Sequence, residues 1–115
     1  MRLKIGENIF NVKVVTSKFD KAQGMMNRRF TDEFNGMLFL MDEDENCFWM
    51  KNCIITLDII FIEGNTISKI YHNCPPCKTE ECKNYCANGR LVLEIEGGSA
   101  KELEIKKGAE VKLLL

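Results

Sequence analysis

At 115 residues and a formal net charge of −1, the chain can build one hydrophobic core but not two. Its 45% hydrophobic and 29% charged residues exclude the disordered class, and 16 Lys and Arg against 17 Asp and Glu leave no basic excess for a nucleic-acid backbone. The longest apolar run, residues 54–62, contains Thr56 and Asp58 and is too short to span a bilayer. The first residues lack the apolar stretch of a secretory signal, so a soluble cytoplasmic protein is expected, with no membrane or nucleic-acid partner.

Phe10, Val12 and Val14 alternate with Asn11 and Lys13, which predicts a strand preceded by a turn at residues 6–8. Ser17 followed by Asp20 marks the start of a short helix that Gly24 limits, with Phe19, Ala22 and Met26 at helical spacing. Gly36 opens a second strand over residues 37–41. Past an acidic turn, residues 47–50 and 54–62 read as strands, broken at Lys51 and Asn52. Glu63, Gly64 and Asn65 make a tight connection to a strand over 66–71. Leu91, Leu93 and Ile95 share one face of a later strand, Ser99 and Glu102 fit a capping box, and a last strand covers 111–115. About seven short strands with one or two short helices predict a β-rich α+β fold. It is read as a single domain over 1–115, a small, partly closed β-barrel.

Between these elements Cys74, Cys77, Cys82 and Cys86 crowd into one short loop. Zinc takes four soft ligands in a tetrahedron, and ligand pairs close in sequence are the usual supply. Cys74 and Cys77 make one pair. A helical turn capped by Thr79 would place Cys82 and Cys86 on one face as the second, with His72 as a replacement ligand. Pro75 and Pro76 remove two N–H groups that would bond metal-bound sulfurs, which weighs against zinc. The competing reading is a nested pair of disulfides, Cys77–Cys82 and Cys74–Cys86. A redox-active Cys74–Cys77 pair ranks last, because such pairs open a helix and the residues after Cys77 lack an apolar helical period. Zinc and disulfides both stand at this point, with zinc first. Cys47 and Cys53 lie in apolar contexts and read as small core residues, with no bridge expected between them in a reducing compartment.

Asp58 interrupts the apolar run Leu57-Asp58-Ile59-Ile60-Phe61. A buried carboxylate must meet a cation, backbone N–H groups or water. The structural account is an acid that caps a turn or pairs with Lys51, Arg28 or Arg29. It outweighs a functional one, in which Asp58, Lys51 and Asn52 converge on a small polar ligand. Trp49 and Met50 read first as core residues, and second as a rigid wall beside that ligand. No nucleophile–base constellation assembles around His72, the only histidine.

Phe48-Trp49-Met50-Lys51-Asn52, followed by Leu57-Asp58-Ile59-Ile60-Phe61-Ile62, resembles the signature of the family named domain of unknown function 192. Ala22-Gln23-Gly24-Met25-Met26 with Arg28 and Arg29 resembles its early helix motif, and Gly36-Met37-Leu38-Phe39 its next strand. Pro75-Pro76-Cys77 with Cys82 and Tyr85 resembles its loop, and Leu93-Glu94 with Gly97, Gly98 and Gly108 its C-terminal end. The resemblance runs from about Val12 onward. It implies a small β-rich domain, many exported bacterial relatives, and no established activity. It also implies that Cys77 and Cys82 occupy positions where the family has cysteines, which suits a disulfide in exported relatives. Cys74 and Cys86 depart from that pattern.

Three functions follow from these residues. The leading one is a binding or accessory module with a polar cleft of Arg28, Trp49, Lys51, Asn52 and Asp58 for a small polar or anionic ligand. The second is a metal- or thiol-dependent enzyme centred on the cysteine loop. The third is a purely structural scaffold.

Overall fold

The computed structural model describes all 115 residues, in nine strands and two short helices. In chain order these are β1 (Arg2–Ile5), β2 (Asn8–Val15), α1 (Lys18–Gln23), β3 (Gly36–Leu40), β4 (Glu45–Trp49) and β5 (Leu57–Glu63). Then come β6 (Thr66–Cys74), β7 (Asn84–Asn88), β8 (Leu91–Glu96), α2 (Ser99–Glu102) and β9 (Val111–Leu114). Seven strands form one sheet in the order β6-β5-β8-β3-β2-β1-β9, and β4 and β7 form a second, two-stranded sheet. The β2–β3 pair is parallel and its crossover carries α1; every other pair is antiparallel.

The large sheet curls until its two edges approach each other. Val111 N–H donates to Asn65 O at 2.7 Å, Ile67 N–H donates to Ala109 O at 3.0 Å, and Thr66 bridges Glu110. The result is a half-barrel, as the strand count predicts. Period-two alternation then divides the core between two faces. Leu3, Ile5, Val12, Leu38, Ile60 and Leu93 fill the inside of the curl, where Ala100 of α2 and Ile105 join them. Met37, Phe39, Ile59, Phe61 and Val92 point outward and are covered by Met25, Met50, Cys53 and Tyr85. Edge-to-face aromatic pairs run from Phe39 through Phe48, Phe61 and Tyr71 to Tyr85, tying the small sheet onto that outer face.

Several elements differ from the sequence reading. Residues 2–5, given no element from the sequence, form β1 because the Gly6 turn (φ 61°) folds them back onto β2. The expected helical turn through Cys82 and Cys86 is absent: residues 84–88 are strand β7, which gives β4 its partner. The strand read from residue 54 begins only at Leu57, since Asn52 at φ 60° turns the chain before it. Ser17 does cap α1, its Oγ accepting from Asp20 N–H at 3.1 Å. That helix nevertheless buries no residue, and Phe19 stands 78% exposed.

Candidate functional site

Two carboxylates lie inside the large sheet. Asp58 shares its parity with Ile60 and Ile62, so it points into the curl beneath α2. Its Oδ1 accepts from Asn73 N–H at 2.8 Å and Gly98 N–H at 3.0 Å, and its Oδ2 accepts from Ala100 N–H at 2.8 Å. Asp58 is thus the cap of α2, the role the sequence assigns to Ser99. Ser99 lies inside the helix, and the true N-cap residue, Gly98, has no side chain to offer. The structural account of Asp58 therefore holds in its capping form. Its pairing with Lys51, Arg28 or Arg29 does not, because neither ion pair of the protein includes Asp58.

Glu94 is the second acid. It pairs with Ile59 on β5 and Met37 on β3, and shares its parity with Val92, so it points outward. It is 3% exposed, and its side chain borders a cavity of about 270 Å³. Residues 21–26 at the end of α1 form one wall; Phe39, Met41, Phe48 and Trp49 form another; Lys51 and Cys53 close the side. Gly24 makes the first wall possible. It takes φ 49°, and a Cβ there would lie 3.3 Å from the Phe39 ring. Asn27 N–H donates to Asn52 O at 2.8 Å, and Met26 bridges Cys53, which fixes this wall to the turn after β4.

Neither ion pair of the protein, Arg90–Asp44 or Lys112–Glu110, includes Glu94. Burial alone raises its carboxyl to about 8. The Cys53 thiol is pushed up to about 12, first by burial and then by Glu94. Sequence reading missed Glu94 as a site residue. Its one signal is Val92, an apolar residue of the same parity, which marks that face as covered.

Of the five residues assigned to the cleft, two line the cavity. Trp49, read first as core, is 45% exposed at its mouth, and the Lys51 ammonium lies 5.4 Å from the indole centre. Arg28 stays outside, its Nη2 donating at 3.2 Å to Oε1 of Gln23, which does line the cavity. Asn52 contributes main chain to the turn, its N–H donating to Cys77 O at 2.9 Å, while its exposed side chain is not part of the lining. Asp58 is on the opposite face of the sheet. The expected convergence of Asp58 with Lys51 and Asn52 is thereby corrected: a one-residue step along a strand reverses the face.

The four loop cysteines do not converge either. Cys77 and Cys82 are disulfide-bonded, in agreement with that half of the nested pairing. Cys86 bonds Cys47, not Cys74, because β4 and β7 set residues 47 and 86 directly opposite each other. Cys47 is accordingly exposed on the small sheet and is not a core residue. Cys74 ends β6 as a buried thiol, its Sγ donating to Tyr71 O at 3.6 Å. Burial raises it to about 11 against the lowering effect of Tyr85. No three His, Cys, Asp or Glu side chains come together as a metal-ligand set, so these residues do not fit a tetrahedral zinc.

A family profile described as DUF192, uncharacterized ACR, matches residues 1–113. A protein of unknown function from Novosphingobium aromaticivorans is 32% identical, with a TM-score of 0.86 over 97% of this chain and 84% of that one. A protein from Sinorhizobium meliloti, described as a candidate transcription regulator, is 29% identical, with a TM-score of 0.81 over 96% of this chain and 89% of that one. Comparison with curated proteins gives no match.

Proposed function

The chain belongs to the uncharacterised DUF192 family, and from that premise we propose that it is a small binding module whose site is the Glu94 cavity. The observation that carries this reading is a carboxyl side chain, 3% exposed and outside both ion pairs, that borders a largely apolar cavity beside an exposed indole. Ligand sites are mostly apolar with a few placed polar groups, and this one has Glu94 within and Lys21 and Lys51 among its lining. The ligand is a small polar molecule with an apolar body.

A thiol enzyme finds no support, because a nucleophilic cysteine needs a lowered pKa, and both unpaired thiols are buried and raised. Nor does a regulator acting on DNA, since 16 basic residues are offset by 17 acidic ones. The two disulfides suit an oxidising compartment better than the cytoplasm expected from the sequence. No helix is long and apolar enough to cross a membrane.

Trp49 is the only tryptophan, so its emission reports directly on the cavity mouth. A library of small polar fragments, screened by amide and indole NMR shifts, is expected to yield compounds that perturb Gly24, Trp49 and Lys51 together. Shifts scattered elsewhere, or none from the whole library, would overturn the binding reading.

A further inference from the structure

We infer that the cavity takes a small organic cation, a protonated primary amine on an apolar body, held by the Glu94 carboxylate. This rests on the binding reading above and names the chemistry of its occupant. A carboxylate withdrawn from water needs hydrogen-bond donors or a counter-charge. Asp58 has three N–H donors from the protein. Glu94, 3% exposed against 0% for Asp58, borders the cavity and takes part in neither of the protein's ion pairs.

The groups around Glu94 do not supply what is missing. On the flanking strands it is paired with Met37 and Ile59, which carry no charge. Lys21 from α1 and Lys51 from the turn line the same cavity without reaching ion-pair distance, and the Lys51 ammonium is engaged over the Trp49 ring. The remaining titratable neighbours are the thiols of Cys53, beside Glu94 in the cavity, and Cys74 at the end of β6. A divalent metal would need several oxygen ligands, and only one carboxylate borders the cavity. An ammonium group needs one carboxylate. The walls suit the rest of such a ligand, because Met25, Met41, Phe39 and Phe48 offer thioether and aromatic surface to a cation and its hydrocarbon body.

The free carboxyl holds its proton up to about pH 8, so an entering ammonium must release that proton to solvent. Binding is therefore coupled to pH through the fraction of Glu94 that is ionised. A neutral ligand that accepts a hydrogen bond from the protonated carboxyl would show the opposite dependence.

Benzylamine, protonated throughout pH 6–8, and its neutral analogue benzyl alcohol are titrated into the intact protein with Trp49 fluorescence as the readout. The benzylammonium Kd is expected to fall about tenfold from pH 6 to 7 and to level off above about 8. The Glu94→Gln variant is expected to lose both the binding and its pH dependence. Tighter binding of benzyl alcohol, or an amine affinity that falls as pH rises, would overturn the cation while leaving the pocket in place. If neither compound binds and no fragment perturbs the cavity, the pocket reading falls with it. The wild-type pH profile decides the matter even if the variant folds poorly.

Discussion

Asp58 and Glu94 sit on adjacent strands, one residue out of register, and are both almost completely removed from water. Their surroundings differ completely. Asp58 faces the inside of the curl and accepts three main-chain N–H groups from the β6 bulge and the start of α2, so its charge does structural work. Glu94 faces the layer under β4 and α1, and neither of the protein's ion pairs reaches it. Burial alone does not distinguish architecture from function. What distinguishes them is whether the fold supplies partners to the group it buries.

The sharpest way to break this contrast is to remove Asp58. Asp58→Ala leaves three donors unpaired, at about 1–3 kcal/mol each with partial relaxation, and should cost about 3–5 kcal/mol in urea unfolding. A loss below about 1 kcal/mol would mean that the cap is not structural. Next in size is the cross-link that holds the small sheet beside the Glu94 cavity. Replacing Cys47 and Cys86 together with Ser opens a closure of 39 residues and should cost about 3–4 kcal/mol. It should also admit water to Glu94 and lower its pKa, which an NMR titration of the double variant would reveal.

Glu94 itself predicts a stability slope of defined sign. Its folded pKa is raised from 4.5 to about 8, so between those values the folded state binds the extra proton. Stability is then full below about pH 4.5, falls as pH rises, and levels off above about 8. Relative to Glu94→Gln, the wild type should lose about 1.4 kcal/mol per pH unit inside that window. Parallel stability profiles for the two proteins would contradict this. The smallest effect belongs to Lys51. Lys51→Ala should change stability by no more than about 0.5 kcal/mol while altering Trp49 emission, since it removes only a cation from an exposed ring.

Much of the fold is legible in the sequence because its strands follow period two. The half-barrel and the Ser17 cap are present, and the need of Asp58 for partners was visible from its apolar neighbours. The Cys77–Cys82 bridge was visible only as the alternative ranked behind zinc. What stayed hidden depends on pairings between distant residues. Cys86 finds Cys47 through the β4–β7 register, and nothing local separates that partner from Cys74. Glu94 alternates with Leu93 and Ile95 and so imitates an ordinary outward-facing residue. Only its strand's place inside the sheet, between β5 and β3 with both faces covered, makes it buried. Trp49 deceived in the opposite sense, as an aromatic residue of a short apolar strand that the fold leaves half exposed.

The proposed site depends on the ionisation of one side chain. Titration of the Glu94 carboxyl carbon by NMR, in the intact disulfide-bonded protein, measures it directly. A midpoint near 8 would establish a carboxyl held out of bulk water at the cavity and available to a ligand. A midpoint in the ordinary carboxylate range of about 4 to 5 would mean that water or a neighbouring group already satisfies it. The contrast with Asp58, and the site built on it, would then fail.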